Sequence, residues 1–161
     1  MPLEPRDKEL AAIGASIGAN CRPCIEHHLA AGREAGLSQA GLDDAVATAH
    51  ALRREAVELL AARIDQLLGH GGASPEPAAI AQTSKARELV ALGVSVGANS
   101  HALLHLHVGA ALDAGLAVPQ IKSALKMAGY VQQRASEITA DEVTHVLAER
   151  VGAPAEPVAT N

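Results

Sequence analysis

Aromatic residues are almost absent from this chain. Its 161 residues include no Trp, no Phe and a single Tyr, Tyr130, although hydrophobic residues make up 48% of the total. The core must therefore be built from Ala, Leu, Val and Ile, which favours closely packed helices. No segment shows the alternation of β-branched and polar residues that is typical of a strand. We therefore expect an all-α fold.

The chain also lacks an excess of positive charge, and it lacks a long apolar run. Lys and Arg number 13 against 18 Asp and Glu, and no basic run is interleaved with aromatic residues, which argues against nucleic-acid binding. No stretch of 18 or more apolar residues occurs, so we expect no transmembrane helix and no membrane partner. The first ten residues, MPLEPRDKEL, are charged and lack the apolar core of a signal peptide. We expect a cytoplasmic protein.

Cysteine is scarce, and the two that occur stand close together in NCRPCIEHH, residues 20–28. Two cysteines are too few for a secreted disulfide scaffold. A C-x-x-C can be a metal clip, a structural disulfide, a redox dithiol or two small buried hydrophobic residues. On a helix, Cys21, Cys24 and His28 share one stripe, and His27 lies on its flank. A helix N-terminus and a nearby His both favour a thiolate, so a reactive dithiol fits these residues well.

A repeat with an offset of 79 residues runs through the chain. ELAAIGASIGANC (Glu9–Cys21) matches ELVALGVSVGANS (Glu88–Ser100), and the register continues without a gap, so that His28 aligns with His107. The segment between the copies is rich in Gly, Pro, Ala and Ser, as a linker is. We predict two pseudo-symmetric halves in the following division of the chain: a first repeat over 1–68, a linker over 69–84, a second repeat over 85–152 and a disordered tail over 153–161.

Ala- and Leu-rich segments interrupted by Gly or Asn predict the helices of the first copy. Asn20 is the predicted N-cap of the helix that carries the cysteines, and Gly36 is expected to close that helix. Ser38 is the predicted cap of the next helix, and Pro23 fits the first turn of its own helix, where its missing N–H costs nothing. The predicted helical segments are Asp7–Ala19, Cys21–Ala35, Ser38–Leu52 and Arg54–Leu68.

The order Glu9, Cys21, Cys24 and His28 gives E-x11-C-x-x-C-x3-H. This spacing resembles the signature of the alkylhydroperoxidase D-like proteins of the carboxymuconolactone decarboxylase superfamily. The AGL that follows the helix is also typical of that family, and the resemblance covers both halves, roughly 7–65 and 86–148. It implies an all-α unit of which six copies commonly form ring-like assemblies. For a chain with two copies it implies a homotrimer.

The resemblance also implies roles for the site residues. Cys24 would attack a peroxide and pass through a sulfenic acid, Cys21 would resolve it to a disulfide, and Glu9 and His28 would relay the proton. The substrate would be a hydroperoxide or a disulfide, and the reductant would be a dithiol partner such as a lipoylated protein or thioredoxin; no cofactor is implied. The family position before the second cysteine is often His. Here it is Pro23, so one step of the relay is missing or is rerouted, with His27 as a substitute.

Two features of the second copy complete these expectations. It keeps Glu88 and His107 but has Ser100 and Leu103 at the cysteine positions, so we expect one dithiol site per chain. Eleven residues carry the chain along one helix, around the Gly18–Asn20 turn and back, so we expect Glu9 to approach His28 and Cys24 across the helix contact, directly or through one water. We expect Glu88 and His107 to repeat this geometry.

Other functions stay open at this stage. One is a thiol module without turnover that binds a soft metal or metalloid ion or senses redox state. Another is a decarboxylase of the superfamily's name-giving type, which generally works without a C-x-x-C. The histidines of SHALLHLH, residues 100–107, do not converge on one face of a helix, so we expect no metal site there.

Overall fold

The computed structural model describes residues 3–72, 76–78, 80 and 83–151, and within them the chain forms six helices and no strand. The all-α prediction is confirmed. The predicted tail over 153–161 lies outside the described residues, as does part of the predicted linker. The helices are α1 (Pro5–Gly18), α2 (Arg22–Glu34), α3 (Gln39–Leu67), α4 (Lys85–Gly97), α5 (His101–Asp113) and α6 (Val118–Val151).

Helices α1 and α4 pack against each other in the core of the molecule. Every residue of α1 from Leu10 to Gly18 is buried, so this helix has no solvent-facing side beyond its first turns. A Cβ atom on Gly14 would lie 2.1 Å from the carbonyl oxygen of Val90, and one on Gly93 would lie 2.1 Å from that of Ala11. Only glycine at these two positions, 79 residues apart, permits so close an approach of the two helices.

The remaining helices surround this central pair. Helix α2 packs on α1 and α5 packs on α4, whereas α3 and α6 each contact both central helices. The hydroxyl of Ser16 donates to the carbonyl oxygen of Ala12, and that of Ser95 donates to Ala91, each at 2.7 Å. Contacts that recur at an offset of 79 residues are compatible with the predicted repeat, and the superposition of the two halves stays a prediction.

The break predicted at Arg53 is wrong. Helix α3 is continuous from Gln39 to Leu67, because no Gly or Pro stands near Arg53 and Arg is itself a good helix former. Ser38 caps this helix as predicted, since its side chain accepts the N–H of Gly41 at 3.1 Å. Gly36, with φ 89°, follows the end of α2 as predicted.

The C-terminal parts of α3 and α6 extend beyond the packed core. We call residues 57–67 the α3 arm and residues 136–151 the α6 arm; all residues from 139 to 151 are exposed. Neither these helices nor the others in the described ranges are long and apolar enough to cross a membrane. The large exposed apolar side chains of the arms are Val57, Leu60, Ile64, Leu67, Val143, Val146, Leu147 and Val151.

Candidate active site

A sharp turn between α1 and α2 places the first cysteine. The N–H of Asn20 donates to Ile17 at 3.1 Å, and the N–H of Cys21 donates to Ser16 at 3.0 Å, which is the pattern of a Schellman motif. Asn20 takes the left-handed position of that motif, with φ 55°. The prediction that Asn20 caps α2 is therefore wrong, because Asn20 closes α1 and Cys21 itself is the N-cap of α2.

Cys21 and Cys24 form a disulfide at the start of α2. Their Cα atoms are 5.3 Å apart, within the range that a disulfide prefers. The N–H of Cys24 donates to Sγ of Cys21 at 3.3 Å, so a backbone amide of the first helical turn faces that sulfur. Pro23 lies in this first turn, as predicted. The helix N-terminus is an environment that stabilises a thiolate in the reduced pair.

Helix α1 brings a carboxylate to the histidine of α2. Oε2 of Glu9 lies 2.8 Å from Nδ1 of His28, and the two side chains are mostly buried, with exposed fractions of 17% and 10%. His28 follows Cys24 by four residues, so the two are neighbours one helical turn apart. The contact that the spacing predicted is present in the structure, and the proton relay through it stays a prediction.

Two polar side chains beside the dithiol face solvent. His27 is exposed, with its ring edge-on to that of His28 and the ring centroids 4.9 Å apart. Arg22 donates to Glu26 at 2.9 Å, and this hydrogen bond, together with the charge of the carboxylate, raises the pKa of the Arg22 guanidinium. The guanidinium of Arg22, which follows Cys21 in the sequence, is therefore paired with the carboxylate of Glu26 on the same helix.

The second half of the chain forms one side of the dithiol site. Beside the cysteines runs an open groove of about 1310 Å³ between the start of α2 and the α6 arm. Cys21 and Pro23 line this groove, whereas Cys24 does not. This side of the site was not predicted from the sequence, because the repeat does not indicate which helix of the other half covers the cysteines. The small residues of α1 and α6 that pack with the two cysteines are Ala12, Ala15, Ala128, Val131 and Ala135.

A second carboxylate–imidazole contact, without a sulfur beside it, joins α4 and α5. Oε2 of Glu88 lies 2.8 Å from Nδ1 of His107, and both side chains are buried. The Thr83 hydroxyl also hydrogen-bonds the Glu88 carboxylate. Leu103 takes the position one turn before the histidine, and within the described ranges Nε2 of His107 is buried without a hydrogen-bond partner. As predicted from the sequence, this pair has no thiol beside it.

The histidines of α5 point in different directions. His101 and His105 are exposed on α5, whereas His107 points into the core. Among the residues that the structure describes, no group of three or more His, Cys, Asp or Glu side chains is arranged to hold a metal ion.

A family model matches the first part of the chain. The model of the Carboxymuconolactone decarboxylase family matches residues 2–67, which include Glu9, both cysteines and His28. No curated protein and no solved structure matches the chain.

Proposed function

We propose that this chain is an alkylhydroperoxidase D-like peroxidase that reduces hydroperoxides with its Cys21–Cys24 pair, because residues 2–67 match the model of the carboxymuconolactone decarboxylase family. One observation carries the proposal: a cysteine pair able to close a disulfide stands one turn from His28, which contacts Glu9 at 2.8 Å. A nucleophilic thiol beside a histidine that a carboxylate orients is the arrangement that activates a cysteine.

In the peroxide step, Cys24 is the nucleophile. Proton transfer from Cys24 to the His28–Glu9 pair leaves a thiolate, which attacks the terminal oxygen of the hydroperoxide. The O–O bond breaks, the sulfur becomes a sulfenic acid, and the relay returns the proton to the departing alkoxide, so that an alcohol leaves. Cys21 then attacks the sulfenic sulfur, which forms the disulfide and releases water.

In the reductant step, Cys21 is the cysteine that is attacked. Since Cys21 lines the groove, an incoming thiolate attacks its sulfur, and the intramolecular disulfide breaks with Cys24 as the leaving thiolate next to His28. The second thiol of the reductant then displaces Cys21 and restores the dithiol. A lipoylated protein or thioredoxin has the required pair of thiols. The cytoplasm keeps such dithiols reduced, which supports it as the compartment of this reaction.

A redox sensor without turnover is the second candidate function. Both cysteines are buried, with 7% and 6% of their surface exposed, and burial slows attack by small molecules. Pro23 also stands where related proteins often have a relay histidine. A sensor would form the same disulfide once per oxidation event and would show no sustained consumption of peroxide.

Single cysteine substitutions test the peroxidase directly. Cys24→Ser should reduce hydroperoxide consumption to the uncatalysed rate, because the nucleophile is gone. Cys21→Ser should consume one equivalent and then stop as a sulfenic acid, which dimedone traps as an adduct visible by mass spectrometry. Ser100→Ala in the second half is the matched control and should retain full activity. Full activity in both cysteine variants would exclude the proposed mechanism.

A further inference from the structure

The turn before Cys21 is held from a different helix. Nη1 of Arg53, on α3, donates to Oδ1 of Asn20 at 3.0 Å. Asn20 is the left-handed residue that closes α1, and Cys21 follows it directly as the N-cap of α2. Arg53 therefore contacts the residue whose conformation determines where the first sulfur lies.

The second half holds its equivalent turn without a charge. Asn99 has φ 53°, and Nε2 of Gln132 donates to Oδ1 of Asn99 at 2.7 Å and to the carbonyl oxygen of Val96 at 3.0 Å. Arg53 and Gln132 are 79 residues apart, which is the offset of the repeat. A neutral amide is thus sufficient to hold such an asparagine. A guanidinium is found only at the turn that leads into the cysteines.

We propose that Arg53 is a positioning residue of the dithiol site, and that its charge favours the thiolate form of the reduced Cys21–Cys24 pair. This inference rests on the proposed dithiol chemistry. A cation near a thiol stabilises the thiolate. None of the ion pairs within the described ranges includes Arg53, so no carboxylate partner offsets its charge at close range.

Three helices carry the other charged and titratable groups near the two cysteines. The substitutions in the test below leave all of these groups unchanged. Those of α2 include an ion pair and two histidines, α1 contributes one carboxylate, and the α6 arm contributes one carboxylate to the groove. These groups are Arg22, Glu26, His27, His28, Glu9 and Glu142.

The counterpart of Arg53 in the second half is Gln132. Substitution of Arg53 by Gln therefore separates the effect of its charge from that of its hydrogen bond. Arg53→Gln keeps a donor for Asn20 and removes the charge. With the reduced full chain at low ionic strength, the midpoint of the pH profile of iodoacetamide alkylation should rise by about 0.3–1 pH unit, as expected for one partly solvated charge. Arg53→Lys should restore most of the wild-type profile. About 0.5 M salt should reduce the difference between Arg53→Gln and wild type, because salt screens an exposed charge.

The matched control is Arg54→Gln, which removes a charge from the exposed neighbour of Arg53 and should leave the midpoint unchanged. A wild-type midpoint in Arg53→Gln at low salt would overturn the proposal and leave Arg53 a structural residue. An equal shift in Arg54→Gln would overturn it as well, because contact with Asn20 would then be irrelevant. Alkylation does not depend on turnover, so a chain that consumes no hydroperoxide would contradict the proposed function and leave this result intact.

Discussion

At the scale of single residues, Glu9 and Glu88 offer an internal comparison. Each carboxylate lies 2.8 Å from an imidazole Nδ1. Glu88 is fully buried and also hydrogen-bonded by Thr83, whereas Glu9 is partly exposed and contacts a histidine that lies one helical turn after Cys24. Because the same contact occurs where no sulfur is present, the carboxylate–imidazole pair has a role in packing as well as the role we propose in proton transfer.

Substitution of the two carboxylates separates these roles. Glu9→Gln should raise the pH at which Cys24 is alkylated by about one unit, because the neutral amide no longer supports a proton on His28. Glu88→Gln changes the equivalent contact, in which Leu103 stands where the first contact has Cys24, and should leave the alkylation profile unchanged. The rate of iodoacetamide labelling of the reduced chain, measured between about pH 5 and 10, gives both results. An unchanged profile in Glu9→Gln would remove Glu9 from the mechanism.

At the scale of helices, the α3 arm and the α6 arm expose large apolar side chains that packing within a single chain does not cover. Val57, Leu60, Ile64 and Leu67 recur at intervals of three and four residues, which is the spacing of a helix–helix contact. Isolated helices shorter than about 12–15 residues are marginal in water, and most helical stability in proteins comes from packing of an apolar face. Exposed apolar stripes on α3 and α6 are compatible with association between chains, and the homotrimer that the family resemblance implies stays a prediction.

Charge placed on the α3 arm should disrupt that assembly. The double variant Leu60→Glu, Ile64→Glu should lower the mass measured by light scattering from three times the 16.4 kDa of one chain to that of one chain. Leu112→Glu alters an exposed apolar residue of α5, outside the arms, and should keep the mass of the assembly. A wild-type chain that is monomeric at micromolar concentration would contradict the trimer that the resemblance implies.

Local features of the helices were predictable because their causes lie within a few residues. Gly36 and Ser38 follow rules of helix capping, and the Glu9–His28 contact follows from two adjacent helices joined by a short turn. The N-cap was assigned to Asn20 instead of Cys21, because Asn suits both an N-cap and the left-handed end of a helix. The sequence alone does not distinguish these two positions.

At the scale of the whole molecule, the site is formed by parts that are distant in sequence. The α6 arm lines the groove beside Cys21, and Arg53 reaches Asn20 from α3. Neither contact follows from periodicity or spacing, because both depend on how α3 and α6 pack around α1 and α4. The Cys21–Cys24 pair and the Glu9–His28 contact were therefore predictable from sequence, whereas the groove and the contact from α3 required the fold. The catalytic roles of these residues stay predictions.

A count of free thiols tests the central claim most directly. The reduced full chain has two cysteines, so two thiols should react with Ellman's reagent before oxidation. One equivalent of an organic hydroperoxide should lower the count to zero and yield one equivalent of the alcohol, and dihydrolipoamide should then restore both thiols. Two thiols that persist after exposure to the hydroperoxide, with no alcohol formed, would contradict the assignment of Cys21 and Cys24 as a peroxide-reducing pair.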